Sequence, residues 1–115
     1  MNTASPAPHA WTTEALYLGR TTFASRDDAL RVGRTLVEEN LAACAQIGGP
    51  IRSVYRWEGK LCDEEEFPLT LKFLGKNGPA LEQRLRELHP YSTPQWYALL
   101  VDRVAPEYLA WAQGA

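Results

Sequence analysis

Phe67, Leu69, Leu71 and Phe73 occupy every second position of the run from Glu66 to Leu74, with Pro68, Thr70 and Lys72 between them. A period of two sets the four apolar side chains on one face of a strand and Glu66, Pro68, Thr70 and Lys72 on the other. One face of that strand belongs in a core, and the cover for it has to come from elsewhere in the chain. Two amphipathic stretches supply it. Ser25 opens the first as a helix cap, with Asp28 at capping-box spacing. Leu30, Gly33, Val37 and Leu41 recur there at helical spacing, Arg34 and Glu38 stand one turn apart on the solvent side, and Asn40 is a stop signal. Asn77 caps the second, which has Pro79 in its first turn, an apolar stripe of Leu81, Leu85 and Leu88, and Pro90 as its end.

The remaining segments read as extended. Ala15 to Thr22 is a strand, and Ala42 to Trp57 is a strand bent by Gly48-Gly49-Pro50. Glu58-Gly59-Lys60 is a hairpin turn. Trp96 to Asp102 is almost continuously apolar and reads as a strand covered on both faces. Pro106 starts a short last helix with Tyr108, Leu109 and Trp111. The order β-α-β-β-α-β plus a terminal helix predicts an α+β fold, the ferredoxin-like sandwich with an extra C-terminal helix. Two helices cover one sheet face. The other, with Lys72, Thr70 and rings from Tyr55, Trp57 and Trp96, has only the last helix to cover it. A chain of 115 residues with 12 aromatics buries only about two-thirds of its unfolded surface, so self-association is expected.

Twelve basic against 14 acidic residues leave a net charge of −2, which argues against binding nucleic acid by neutralising phosphates. No apolar run approaches the ~20 residues of a membrane span, and Met1 to His9 shows no secretory signal. Residues 1–13 read as a flexible N-terminal tail and 14–115 as one domain. Cys44 and Cys62 are too few for a disulfide scaffold, so two reduced thiols and a cytoplasmic location are expected.

Cys44 lies among small apolar residues and is either a buried thiol or a soft metal ligand. Cys62 adjoins the acidic run Asp63 to Glu66, whose oxygens suit a hard cation but which lacks EF-hand spacing and reads as solvating the start of a strand. His89, at the end of a helix, suits a hydrogen bond to a free carbonyl. Lys72, a lone cation in an apolar strand, calls for solvent, an anionic ligand or a carboxylate such as Glu58 or Glu66. Zinc-site spacing and a nucleophile–base pair are both lacking, so an enzyme is not expected.

Four segments resemble the CutA divalent-cation-tolerance family: Leu36 to Cys44; Ser53 to Lys60, a Y-x-W-x-G-K hairpin; Glu87 to Tyr91 with Pro94, an HPY-x-x-P segment; and Tyr108 to Trp111. They stand in the family's order across residues 15–112. The resemblance implies a cytoplasmic homotrimer of ferredoxin-like subunits, linked to divalent metal tolerance, with copper binding attributed to some members and no enzyme reaction attached. It implies copper ligation at Cys44 and His89, and clefts between subunits lined by Tyr55, Trp57, Lys72, His89 and Tyr91. Pro94-Gln95 departs from the family's Pro-Glu, and Cys62 has no counterpart. The sequence establishes no cofactor, and a divalent metal or copper is the one that the resemblance brings. An anion- or metabolite-sensing trimer and a scaffolding trimer are the alternative readings.

Overall fold

A computed structural model describes residues 10–115. The chain forms β1 (Leu16–Phe23), α1 (Arg26–Glu38), β2 (Cys44–Ile47), β3 (Ile51–Trp57), β4 (Lys60–Leu74), α2 (Gly78–Leu88), β5 (Tyr97–Leu100) and α3 (Pro106–Gly114). A 3-10 turn, Gly75–Asn77, leads into α2. The strands make an antiparallel sheet in the order β2-β4-β1-β5, and β3 also pairs with β4.

The long β4 organises the sheet. Its first half pairs with β3, Ile51 opposite Glu66 and Trp57 opposite Lys60. Its second half pairs with β2, Cys44 opposite Lys72 and Ile47 opposite Leu69. The partner strand is therefore one extended segment broken at Gly48-Gly49-Pro50, as the sequence suggests. The break falls beside Pro68, which has no N–H to give a ladder, while its carbonyl accepts the Gly48 N–H at 2.9 Å. The two-residue turn Glu58-Gly59 closes the hairpin with both residues at positive φ, 49° and 78°, the geometry that matches strand twist in tight hairpins.

The alternation in β4 holds from Leu69 to Phe73, whereas Phe67 is only partly buried and Glu66 and Pro68, on either side of it, are buried. Leu69, Leu71 and Phe73 are buried with Tyr17 and Phe23 of β1 beneath Ala29, Val32 and Leu36 of α1 and Leu81 and Leu85 of α2. The fully buried stripe of α1 is Ala29, Val32, Gly33 and Leu36; of the expected Leu30, Gly33, Val37 and Leu41, Gly33 is buried, Val37 and Leu41 pack partly buried against the core, and Leu30 is exposed. Small Ala29 and Gly33 let the helix lie close, and a Cβ on Gly33 would press on Leu69 and Ala45. Ser25 caps as expected, accepting the Asp28 N–H at 3.1 Å, and Asn40 leaves the helix at φ 61°. The side chain of Asp28 pairs with Arg31 rather than closing a capping box. Arg84 of α2 ties the helices together through two bonds to Glu39, 2.8 and 2.9 Å. Asn77 makes no side-chain cap, because the 3-10 turn feeds α2 directly.

On the other face, Leu16 and Leu74 pack with Ala112, Tyr108 and Leu109 of α3. Three expectations change. Trp96 is not on this face: its ring lies on the helix side, 6.2 Å from Phe73, and fills the space where a Cβ on Gly19 would stand. Its indole N–H donates to Glu82 at 2.7 Å. β5 is a short, exposed edge strand rather than one covered on both faces. Residues 11–13 are not tail: Trp11 packs edge-on to Tyr17 at 4.8 Å and against Gly78, and the Thr12 N–H donates to the Tyr17 hydroxyl at 2.9 Å. Residues 1–9 of the expected tail lie outside the described residues.

Candidate functional site

Period two continues from Phe67 back through the acidic run. Opposite residues of an antiparallel pair share a face, so Tyr55, Trp57, Cys62, Glu64 and Glu66 line one face of the β3–β4 hairpin and Arg52, Val54, Leu61 and Asp63 the other. The charges are therefore divided. Asp63 pairs with Arg52 at 2.7 Å, while Glu64 accepts the Tyr55 hydroxyl at 3.1 Å. Glu66, only 7% exposed, accepts the Tyr91 hydroxyl at 3.2 Å.

Tyr55, Trp57, Glu64 and Glu66 wall an open cleft of about 580 Å³ together with Thr22, Ala24 and the loop from Tyr91 to Gln95. Burial and then the Glu66 charge push the Tyr91 phenol up to about 12. Desolvation, followed by the hydrogen bond to Glu64, does the same for Tyr55, also to about 12. Both phenols thus stay protonated as donors at neutral pH, and both are committed to carboxylates. Of the residues assigned to clefts from the sequence, Tyr55, Trp57 and Tyr91 meet here. From the sequence, Glu66 reads only as a possible partner for Lys72 and Glu64 only as part of the acidic run, although the alternation leading into Phe67 carries both to the same face as Tyr55.

His89 lies beneath the cleft rather than in its lining. Nδ1 accepts the Tyr91 backbone N–H at 3.1 Å, so the ring proton is on Nε2, which donates to the Thr22 carbonyl at 3.0 Å and stands 3.0 Å from Thr21 Oγ1. The ring stacks on Phe23 with centroids 4.2 Å apart. The carbonyl it meets belongs to β1, not to the end of its own helix. Burial pushes the imidazole below its ordinary value, opposed by the Thr22 bond and by the charges of Asp28 and Glu66. Folding thus favours the neutral ring. That contribution is complete above the unfolded value of 6.5 and is lost as pH falls from there through the lower folded value. The melting temperature of the wild type, measured against His89→Gln, should therefore decline between about pH 7.5 and about pH 5. A constant difference across that range would show no linkage at this residue.

Lys72 stands apart. It is six residues from Glu66 along β4, about 20 Å at ordinary strand rise, and lines a second, 330 Å³ cleft with Leu18, Arg103 and Tyr108. Neither Glu58 nor Glu66 pairs with it; its ammonium lies 5.4 Å from the centre of the Tyr108 ring. Cys44 is half-buried opposite Lys72. His89 is bonded to Thr22, which pairs with Pro68, so four residues of β4, about 13 Å, separate the two positions. Within one chain Cys44 and His89 do not form a ligand pair, and both ring nitrogens of His89 are occupied. Among the described residues no three His, Cys, Asp or Glu side chains converge as a metal cage.

The family model of the CutA1 divalent ion tolerance protein matches residues 17–115. The divalent-cation tolerance protein CutA of Thermus thermophilus is 38% identical over 90 residues, which are 78% of this chain and 87% of that protein. The crystal structure of CutA from Xylella fastidiosa superimposes with a TM-score of 0.84 at 36% identity, covering 87% of this chain and 96% of that one. The periplasmic divalent cation tolerance protein CutA from Archaeoglobus fulgidus gives 0.82 at 30% identity, over 86% and 96% of the two chains. The α+β architecture with its antiparallel sheet is common to these structures. With its family model matched over nearly all of the described residues and its relatives this similar, the chain belongs to the CutA1 divalent ion tolerance protein family.

Proposed function

We propose that the chain serves divalent-cation tolerance as a non-catalytic binding protein: a ferredoxin-like subunit of a cytoplasmic homotrimer whose inter-subunit clefts hold a positively charged ligand. The strand order supports the ferredoxin-like reading once β2 and β3 are taken as one bent strand. Assembly is supported by exposed apolar side chains in two places that one chain leaves uncovered, Val54, Trp57 and Leu61 on the hairpin and Leu99 and Leu100 on the edge strand β5. Unprotected edges and apolar patches of this kind call for a partner. Two unpaired thiols fit a reducing compartment.

The observation that carries the ligand reading is the cleft, which is acidic and open on one side, with Tyr55, Trp57, Glu64, Glu66 and Tyr91 in its walls. The side chains that one chain contributes to its lining include two carboxylates and no Lys, Arg or His, which supports a cation as the ligand. Sedimentation equilibrium at micromolar concentration should give about 39 kDa, three times the 12.9 kDa chain; a 12.9 kDa species overturns the assembly. Copper held by Cys44 and His89 across a subunit boundary is the competing reading of the same oligomer. It requires copper retention in equilibrium dialysis that disappears in Cys44→Ser, and retention unchanged in that variant rejects it.

A further inference from the structure

The hairpin cleft has a chemistry more specific than negative charge, and the inference drawn from it rests on the reading of that cleft as the ligand site. We propose that it is an organic-ammonium site, a cage of aromatic rings and carboxylates suited to a quaternary or alkylated ammonium group. Tyr55, Trp57 and Tyr91 contribute the rings, and Glu64 and Glu66 the charge. Each phenol hydroxyl is already donated to a carboxylate. What Tyr55 and Tyr91 have left to give a ligand is π-surface, and Trp57 adds the ring type that attracts cations best.

Glu66 supplies the second, independent sign. It is 7% exposed and forms no ion pair with any described Lys, Arg or His. One of its oxygens is bonded to Tyr91. The other has no protein partner, yet no side-chain oxygen or nitrogen sealed from solvent lacks one among the described residues. That oxygen therefore opens into the cleft. A cation seated against the rings would meet that oxygen and pair with its charge. A bare divalent ion fits less well. Hard cations take about six or more oxygen ligands, whereas here two carboxylates are partly spent on phenols and the remaining walls are rings. A methylated ammonium needs no hydrogen-bond acceptor for each face, spreads its charge over a surface that rings can cover, and fits within 580 Å³.

The test is calorimetric titration of the full chain with choline and with its uncharged isostere, in which a tert-butyl group replaces trimethylammonium. Choline should bind saturably, with the isostere about tenfold weaker or worse. Trp57→Leu and Glu66→Gln should each weaken choline about fivefold or more. Glu64→Gln, on the exposed hairpin, provides a second charge variant should Glu66→Gln fail to fold. Equal binding of choline and isostere overturns the cage. Sedimentation of the same samples separates this result from the oligomer: full oligomeric mass with no choline binding overturns the cage alone, while a monomer that still discriminates choline supports the cage and overturns the trimer. Copper or magnesium binding that survives Trp57→Leu, in a chain that ignores choline, also overturns it.

Discussion

Phe73→Ala is expected to cost about 3–5 kcal/mol of folding stability. The ring is 1% exposed and lies where three aromatic contacts meet: Trp11 edge-on at 5.7 Å, Tyr17 stacked at 5.9 Å and Trp96 at 6.2 Å. Each neighbour comes from a different part of the chain, the entry segment, β1 and the approach to β5, so none can close the space without leaving its own seat. Partial collapse is what makes some large-to-small changes mild, and the rigid floor of Gly19 under Trp96 leaves little room for it. Urea unfolding at fixed protein concentration is the measurement, with Trp111→Ala as reference, since that ring is exposed. A loss from Phe73→Ala below about 1 kcal/mol would mean that the aromatic cluster does not hold the core.

The same cluster shows what periodicity could and could not convey. The inward face of β4 was legible because alternation is a local property and its four apolar residues leave one register. Trp96 was not. In a nearly continuous apolar run either parity satisfies the pattern, and what decides is the gap above Gly19 on a neighbouring strand. Ala29 and Val32 were missed in the stripe of α1, where Leu30 was expected instead, for a similar reason, since Ala29 carries little weight as a hydrophobe but is small enough to lie buried against the core. Trp11 looked like tail because the segment before it is rich in Pro and Ala, and its socket at Gly78 lies far along the chain.

At the cleft, Tyr55 and Trp57 were expected on the less covered sheet face and Tyr91 came from resemblance to a family, while the placing of the carboxylates came from geometry. Four successive acidic residues suggest a solvated strand start when read as a block. Read in pairs across the hairpin they divide, Asp63 to Arg52 and Glu64 and Glu66 to phenols, and the strand runs through them for 15 residues. Lys72 shares a sheet face with Glu66 but not a site, because parity fixes the side of a strand and says nothing of distance along it.

Val54→Asp with Leu61→Asp should reduce the assembly to a 12.9 kDa monomer while leaving the subunit folded. Val54 and Leu61 are diagonal neighbours across β3 and β4, 62% and 69% exposed, so together they form one apolar patch. The isolated subunit gains little from either side chain, and exposed substitutions of this kind usually change stability by no more than about 0.5 kcal/mol. Within an apolar contact the outcome is different, because two unpaired carboxylates would have to be desolvated, at several kcal/mol each. The patch is on the hairpin face opposite Tyr55 and Trp57, so loss of mass could not be assigned to damage in the cleft. Sedimentation equilibrium with far-UV circular dichroism reads both halves of the expectation. A double variant of full oligomeric mass would mean that the hairpin's outer face is free in the assembly, leaving the β5 edge, with Leu99 and Leu100, as the surface that joins the subunits.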